Sequence, residues 1–149
     1  VAGVVFDPLK DELFWAERGH GAYVNSRQLR ISRKEDLTES LFATGMPFKG
    51  RGDQDTTMAE IEKVSFASAG VRRFGSAALD LAYVAAGRYD GYWERGLAAW
   101  DIAAGALIAN EAGGRVTDLN GGEKIVSDRS IIVAGPMIYD QFFNLVTKA

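Results

Sequence analysis

The sequence predicts a mixed α/β protein, with a C-terminal α/β domain over residues 32–149 preceded by an antiparallel meander over residues 1–31. Three observations predict it. From Leu41 onward, strand-length apolar runs alternate with helix-length runs, the signature of an α/β layer on a largely parallel sheet. Before Leu41, short strands follow one another with only turn residues between them, which leaves no room for a crossover helix and makes them antiparallel neighbours. Between Gly75 and Gly114 lie two helices rich in small and apolar residues, the first apolar on nearly every side and therefore buried.

Taken in order, Val1-Ala2-Gly3-Val4-Val5-Phe6 is an unbroken apolar run and reads as a strand buried on both faces. Such a strand needs partners at both edges, so Val1 is expected to be a cut rather than a native start, and residues 1–31 to be strands of an incomplete N-terminal sheet. Asp7-Pro8-Leu9-Lys10-Asp11 is a turn into a second strand, 12–17. Arg18-Gly19-His20-Gly21 turns again into Ala22-Tyr23-Val24, and Asn25-Ser26 returns the chain through residues 27–31. Ser32-Arg33-Lys34-Glu35 has capping-box spacing and predicts a helical turn. Leu41-Phe42-Ala43-Thr44 is a strand, residues 46–55 a loop, and Met58, Ile61 and Val64 give one apolar stripe to a helix. Val71-Arg72-Arg73-Phe74 is a strand that delivers the chain to the Gly75 turn. Beyond Gly114, residues 115–117 and 131–134 are strands. Pro136 suits the first turn of a closing helix with Ile138, Phe142, Leu145 and Val146 on its apolar face.

Composition narrows the chemistry. A chain of 149 residues with 47% apolar residues can bury a real core, and a net charge of −3 argues against a general nucleic-acid surface. It has no cysteine and one histidine, His20, which excludes disulfides, thiolate sites and a histidine-built zinc site, and suits a reducing cytoplasm. A metal here must use oxygen ligands, which favours Mg²⁺, Mn²⁺ or Ca²⁺. No apolar run approaches the ~20 residues that span a bilayer, so no membrane partner is expected. Gly50-Arg51-Gly52 lacks the third glycine of a dinucleotide fingerprint, and Arg51-Gly52-Asp53 matches an adhesion tripeptide by chance. His20, between glycines, reads as solvated.

The stretch from Gly75 to Gly114 carries the chemistry. Gly75-Ser76-Ala77 is a small turn whose serine caps the helix over 79–86. Asp90-Gly91 turns into a strand, Tyr92-Trp93, that ends on Glu94, and a second helix starts around Trp100-Asp101 and runs to about Ala112. Strand ends and helix starts converge on one rim of an α/β sheet, where ligands bind. A carboxylate there can hold a hard cation, and a helix N-terminal turn can accept an oxygen ligand. On the residues alone Asp101 is an N-cap, Glu94 a rim charge paired with Arg95 or Arg88, and Trp93 and Trp100 core or interface packing residues. Asp80, an acid on the apolar helix, needs water or a partner such as Arg72 or Arg73.

Gly75-Ser76-Ala77, Glu94, the run Trp100-Asp101-Ile102-Ala103-Ala104-Gly105 and Glu111-Ala112-Gly113-Gly114 together resemble the C-terminal signature of the inositol monophosphatase family, one branch of the magnesium phosphatases that include fructose-1,6-bisphosphatase. The 17 residues from Ala77 to Glu94 and the 7 from Glu94 to Asp101 fit that family. The resemblance spans all 149 residues, because the opening strands are similar to the family's central hairpin. It implies alternating layers of helices and sheets, a sugar-phosphatase-like sandwich shared with an absent N-terminal half. It makes Asp101 a ligand of catalytic Mg²⁺, Gly75, Ser76 and Ala77 contacts to substrate hydroxyls, and Glu94 a hydroxyl acceptor. The family's upstream Glu and its Asp-Pro-x-Asp-Gly-Thr motif have no counterpart; Asp7-Pro8 continues Leu9-Lys10 and is a hairpin turn. Beyond the metal ligand, no catalytic residue lies in this chain, and the chain alone is expected to be inactive.

The implied activity is Mg²⁺-dependent hydrolysis of a small phosphorylated polyol, most simply inositol monophosphate, by a cytoplasmic homodimer. Related phosphatases act on a sugar bisphosphate, histidinol phosphate or a nucleotide 3′-phosphate. Some bacterial members of the family also work with the transcription machinery in ribosomal RNA synthesis, so a regulatory binding protein of the same fold is the reading from a different class.

Overall fold

The structure, a computed structural model, describes residues 1–48 and 52–148; Gly50 and Arg51 of the Gly50-Arg51-Gly52 and Arg51-Gly52-Asp53 motifs therefore fall outside the described residues. Four antiparallel strands open the chain in sequential order: β1 (Ala2–Asp7), β2 (Glu12–Glu17), β3 (Ala22–Val24) and β4 (Arg27–Gln28). The turn between β1 and β2 is set by the Asp7 carboxylate, which accepts from Leu9 N at 3.0 Å. A second sheet of five strands has the order β6-β5-β7-β9-β8, with β5 (Leu41–Thr44), β6 (Gly70–Arg72), β7 (Gly91–Arg95), β8 (Arg115–Thr117) and β9 (Ser130–Ala134). The helices are α1 (Gln54–Ala67), α2 (Ala77–Ala85), α3 (Ala99–Glu111), a short α4 (Ile125–Asp128) with no sequence signal ahead of it, and α5 (Tyr139–Thr147).

Two cores lie on the two faces of the five-stranded sheet. One joins Val5, Phe14 and Val24 of the meander to Leu81 and Val84 of α2, Ile102 and Ala109 of α3, and Tyr92 and Val133 of the sheet. The other joins Phe42, Trp93 and Ile132 to Val64 of α1 and to Phe142 and Val146 of α5. Adjacent residues Tyr92 and Trp93 enter opposite cores because side chains alternate along a strand. The result is a layered mixed α/β sandwich: meander, α2 and α3, five-stranded sheet, then α1 and α5.

Small residues make the α2–α3 layer thin. A Cβ added at Gly105 would stand 2.6 Å from Leu81 Cβ, and one at Gly3 would stand 3.1 Å from Ala104 Cα. The Ala-Ala-Gly half of the Trp-Asp-Ile-Ala-Ala-Gly run is therefore what lets α3 lie tight against α2 on one side and β1 on the other.

Several expectations need correction. β1 is not buried on both faces: its outer edge is unpaired among the described residues, and Val4 and Phe6 are 56% and 51% exposed. Only two residues of the predicted strand over 27–31 pair; Leu29 and Ile31 are nevertheless buried, with Ile31 N bonded to Ala112 O. Ser32-Glu35 forms no helix, since the 3₁₀ turn Leu37–Glu39 is capped by Asp36 instead. The sheet is half parallel, because β7 and β9, and β9 and β8, are antiparallel while β6, β5 and β7 are parallel. Pro136 precedes α5 rather than opening it. Met58 is half exposed, and the inward face of α1 is completed by Thr57 and Glu60.

Candidate functional site

All five residues singled out by the sequence, Gly75, Ser76, Ala77, Glu94 and Asp101, line one open cavity of about 640 Å³. Three elements deliver them. Gly75, at φ +97°, turns the chain so that Ser76 can cap α2, its Oγ accepting from Leu79 N at 3.4 Å. β7 carries Glu94 to the sheet's rim, and the first turn of α3 carries Asp101. No Cβ-level obstacle lies within 4 Å of Gly75, so the backbone there stays open to a ligand.

Asp101 is not the N-cap. That position is Ala98, which has no polar side chain; Asp101 sits three residues on and reaches back, Oδ2 accepting from Ala98 N at 2.9 Å. Its Oδ1 takes no hydrogen bond from the described residues. Of the two tryptophans expected in core or interface packing, Trp93 is buried in the core, whereas Trp100 is 84% exposed beside the cavity and is no core residue.

Glu94 pairs with neither Arg95 nor Arg88. Arg88 is held by Glu12 and Arg95 by Glu60, so Glu94 faces the cavity without a cation bonded to it among the described residues. The buried Tyr92 hydroxyl donates to Glu94 Oε2. Gly45, at the end of β5, makes room for the carboxylate, since a Cβ there would stand 2.0 Å from Glu94 Oε1. Burial pushes the Glu94 carboxyl above the usual range and the Asp101 charge adds to that, while the Tyr92 hydrogen bond and Arg73 act the other way.

The cavity wall holds a third acid. Asp80, one turn into α2, is 1% exposed, and its Oδ1 has no hydrogen-bond partner among the described residues. Neither Arg72 nor Arg73 bonds it; Arg73 is only a weak opposing charge. Burial first, and the Glu94 charge second, push its pKa up to about 8. Asp80, Glu94 and Asp101 thus gather three carboxyl groups, Asp80 holding its proton at neutral pH, around one space that also admits Arg73 and Arg129. They do not converge on one point: no three acids or histidines among the described residues are placed to hold a single ion. Asp101 fits one ligand position of a carboxylate-bound divalent cation, with an oxygen to spare, and does not make a cage.

Sequence reasoning missed Asp80 as a cavity group, although an acid on an all-apolar helix was its signal. Tyr92 and Gly45 carried no signal, because their role depends on where Glu94 folds back.

The family model described as the inositol monophosphatase family matches residues 1–148. An inositol-1-monophosphatase of Mesorhizobium japonicum is 47% identical over 148 residues, covering 99% of this chain and 56% of that relative. A protein named Nus factor SuhB from Pasteurella multocida is 47% identical over 144 residues, covering 97% of this chain and 54% of that relative. Among solved structures, the extragenic suppressor protein suhB of Bartonella henselae superposes with TM-score 0.95 at 47% identity, over 100% of this chain and 57% of that one. The inositol monophosphatase of Anabaena superposes with TM-score 0.93 at 40% identity, over 99% and 61%. The chain spans little more than half the length of these relatives. No helix among the described residues is long and apolar enough to cross a membrane.

Proposed function

Because this chain belongs to the inositol monophosphatase family, we propose that it is the C-terminal portion of an enzyme that hydrolyses a small phosphorylated polyol of the inositol monophosphate class with the help of Mg²⁺. The observation that carries the reading is the meeting of the Gly75–Ala77 turn, Glu94 and Asp101, from three separate elements, in one cavity. Glu94, half-buried, without a bonded cation among the described residues and held by Tyr92, accepts a hydroxyl of the alcohol part. The turn at Gly75, Ser76 and Ala77, exposed at Gly75 and half-buried beyond it, presents backbone groups to neighbouring hydroxyls. Asp101, fixed by the Ala98 N–H through one oxygen, offers the other to a metal. Bound Mg²⁺ supplies Lewis-acid stabilisation of phosphoryl charge and a more acidic water. The remaining ligands come from the upstream half that the longer relatives carry, and the complete protein is a cytoplasmic homodimer.

Asp101→Asn tests this in the complete enzyme. The asparagine carbonyl oxygen can keep the bond from Ala98, so stability without metal should change by no more than the roughly 0.3–1 kcal/mol that an acid contributes at a helix start. Turnover should fall by more than about 10-fold, and Mg²⁺ binding followed by calorimetry should weaken. Near-normal turnover and metal affinity would leave Asp101 a helix-end residue only.

Relatives named Nus factor SuhB, 47–48% identical over most of this chain, favour a second reading, a part in transcription. Capture of RNA polymerase by the complete protein, retained in Asp101→Asn, is the outcome that reading expects.

A further inference from the structure

We infer that Glu60 on α1 is a positioning residue for Glu94, and through it tunes the preference of the site for substrates that carry free hydroxyls. The inference rests on the reading of Glu94 as a hydroxyl acceptor.

Alternation along β7 sends Trp93 and Arg95 to the α1 side of the sheet and Glu94 to the cavity. The two flanking side chains end on the same carboxylate. Glu60 Oε2 accepts from Trp93 Nε1 at 3.0 Å, and Glu60 Oε1 accepts from Arg95 Nε at 3.1 Å and Nη2 at 2.5 Å. Glu60 is itself buried, whereas Arg95 is partly exposed. Charge-assisted bonds of this kind are about twice as strong as neutral ones, and the guanidinium fork fixes direction as well as distance. The residue before Glu94 is tied a second time, by Thr44 Oγ1 donating to Trp93 O at 2.6 Å.

Glu94 is therefore bracketed. Any rotation of the end of β7 that would swing its side chain must move Trp93 and Arg95 together, and Glu60 holds both. On the cavity side the carboxylate has a fitted place, against Gly45 and under the Tyr92 hydroxyl. Glu60 does not line the large cavity; it shares a small adjoining pocket with Trp93, Glu94 and Arg95, and its bonds go to the two residues that flank Glu94.

The test compares Glu60→Gln and Arg95→Lys in the complete enzyme, on inositol monophosphate and on phenyl phosphate, which has no hydroxyl for Glu94. Glutamine keeps the size of Glu60 but has a single acceptor oxygen, and the lysine variant keeps the charge but loses the fork at a partly exposed position where folding is not at stake. KM for inositol monophosphate should rise about fivefold in both, with kcat/KM for phenyl phosphate within about twofold, since small misplacements of a positioning group act on the contact it serves. The indole N–H resonance of Trp93 should move upfield in Glu60→Gln as its charged acceptor is lost. Equal losses on both substrates, or no change in KM in either variant, would overturn the inference and leave Glu60 as a tie between α1 and the sheet. Glu94→Gln is run alongside. If it selectively impairs inositol monophosphate while the two clamp variants do not, the positioning role alone fails. If it impairs both substrates equally, the reading of Glu94 fails and the inference falls with it.

Discussion

Asp80 is a carboxyl group held against ionisation. Its folded pKa of about 8 lies well above the ordinary 3.8, first because it is buried and then because Glu94 shares its cavity. Between these two values an unfolded chain has released the proton and the folded chain has kept it. The folded state then binds more protons, so the contribution of this group is greatest at and below pH 4 and is lost as pH rises toward about 8. The loss from this one group is on the order of 5 kcal/mol. Asp80→Asn removes the titration while keeping the shape. Urea unfolding should find the variant and the parent close at pH 4 and the variant clearly more stable at pH 8. Identical pH slopes in the two proteins would mean that Asp80 ionises freely. Such a group is costly to keep, which is consistent with natural sites that trade stability for a tuned cavity.

At the scale of elements, the α2–α3 contact is the tightest joint. Gly105→Ala would drive a methyl into Leu81, whose Cβ is 2.6 Å from the new atom. Overpacking of this kind costs about 1–3 kcal/mol, and on the proposed reading of Asp101 as a metal ligand the complete protein carrying this variant should lose metal affinity along with thermal stability. Unchanged melting and metal binding would mean that the helices part without consequence. Strands with a strong local pattern were legible in the sequence: Ala22–Val24 and Leu41–Thr44 match to the residue. So were both helices of the site, because Ser76 and the small-residue runs are local signals. What escaped depends on distant partners. Ser32 and Glu35 have capping-box spacing, yet the nearby turn is taken by Asp36, whose carboxylate bonds Thr38. Whether Asp101 caps α3 or reaches back from its first turn depends on where the backbone leaves the extended region, which is at Ala98. Glu60, Trp93 and Arg95 meet across 33 or more residues with no periodicity linking them.

For the whole molecule, the site is assembled by the packing of layers and not by any one segment. The turn before α2, the end of β7 and the start of α3 share a rim only because the meander presses the helix layer onto the five-stranded sheet. The same arrangement leaves β1 at the border of the first sheet, with Val4 and Phe6 outward and no described strand beyond it. A bare border of this type is a seed for polymerisation: its free amides and carbonyls can recruit the same border of another copy, and its greasy side chains favour the union. Solutions of this 149-residue chain should scatter light increasingly with concentration and bind amyloid dyes on incubation. Val4→Lys, a charge set on the outward face of that strand, should keep the solution clear without loosening the fold. Equal turbidity in the two would place the sticky surface elsewhere. If the border is the source, colloidal behaviour would report on whether a strand from the upstream half has taken its seat there.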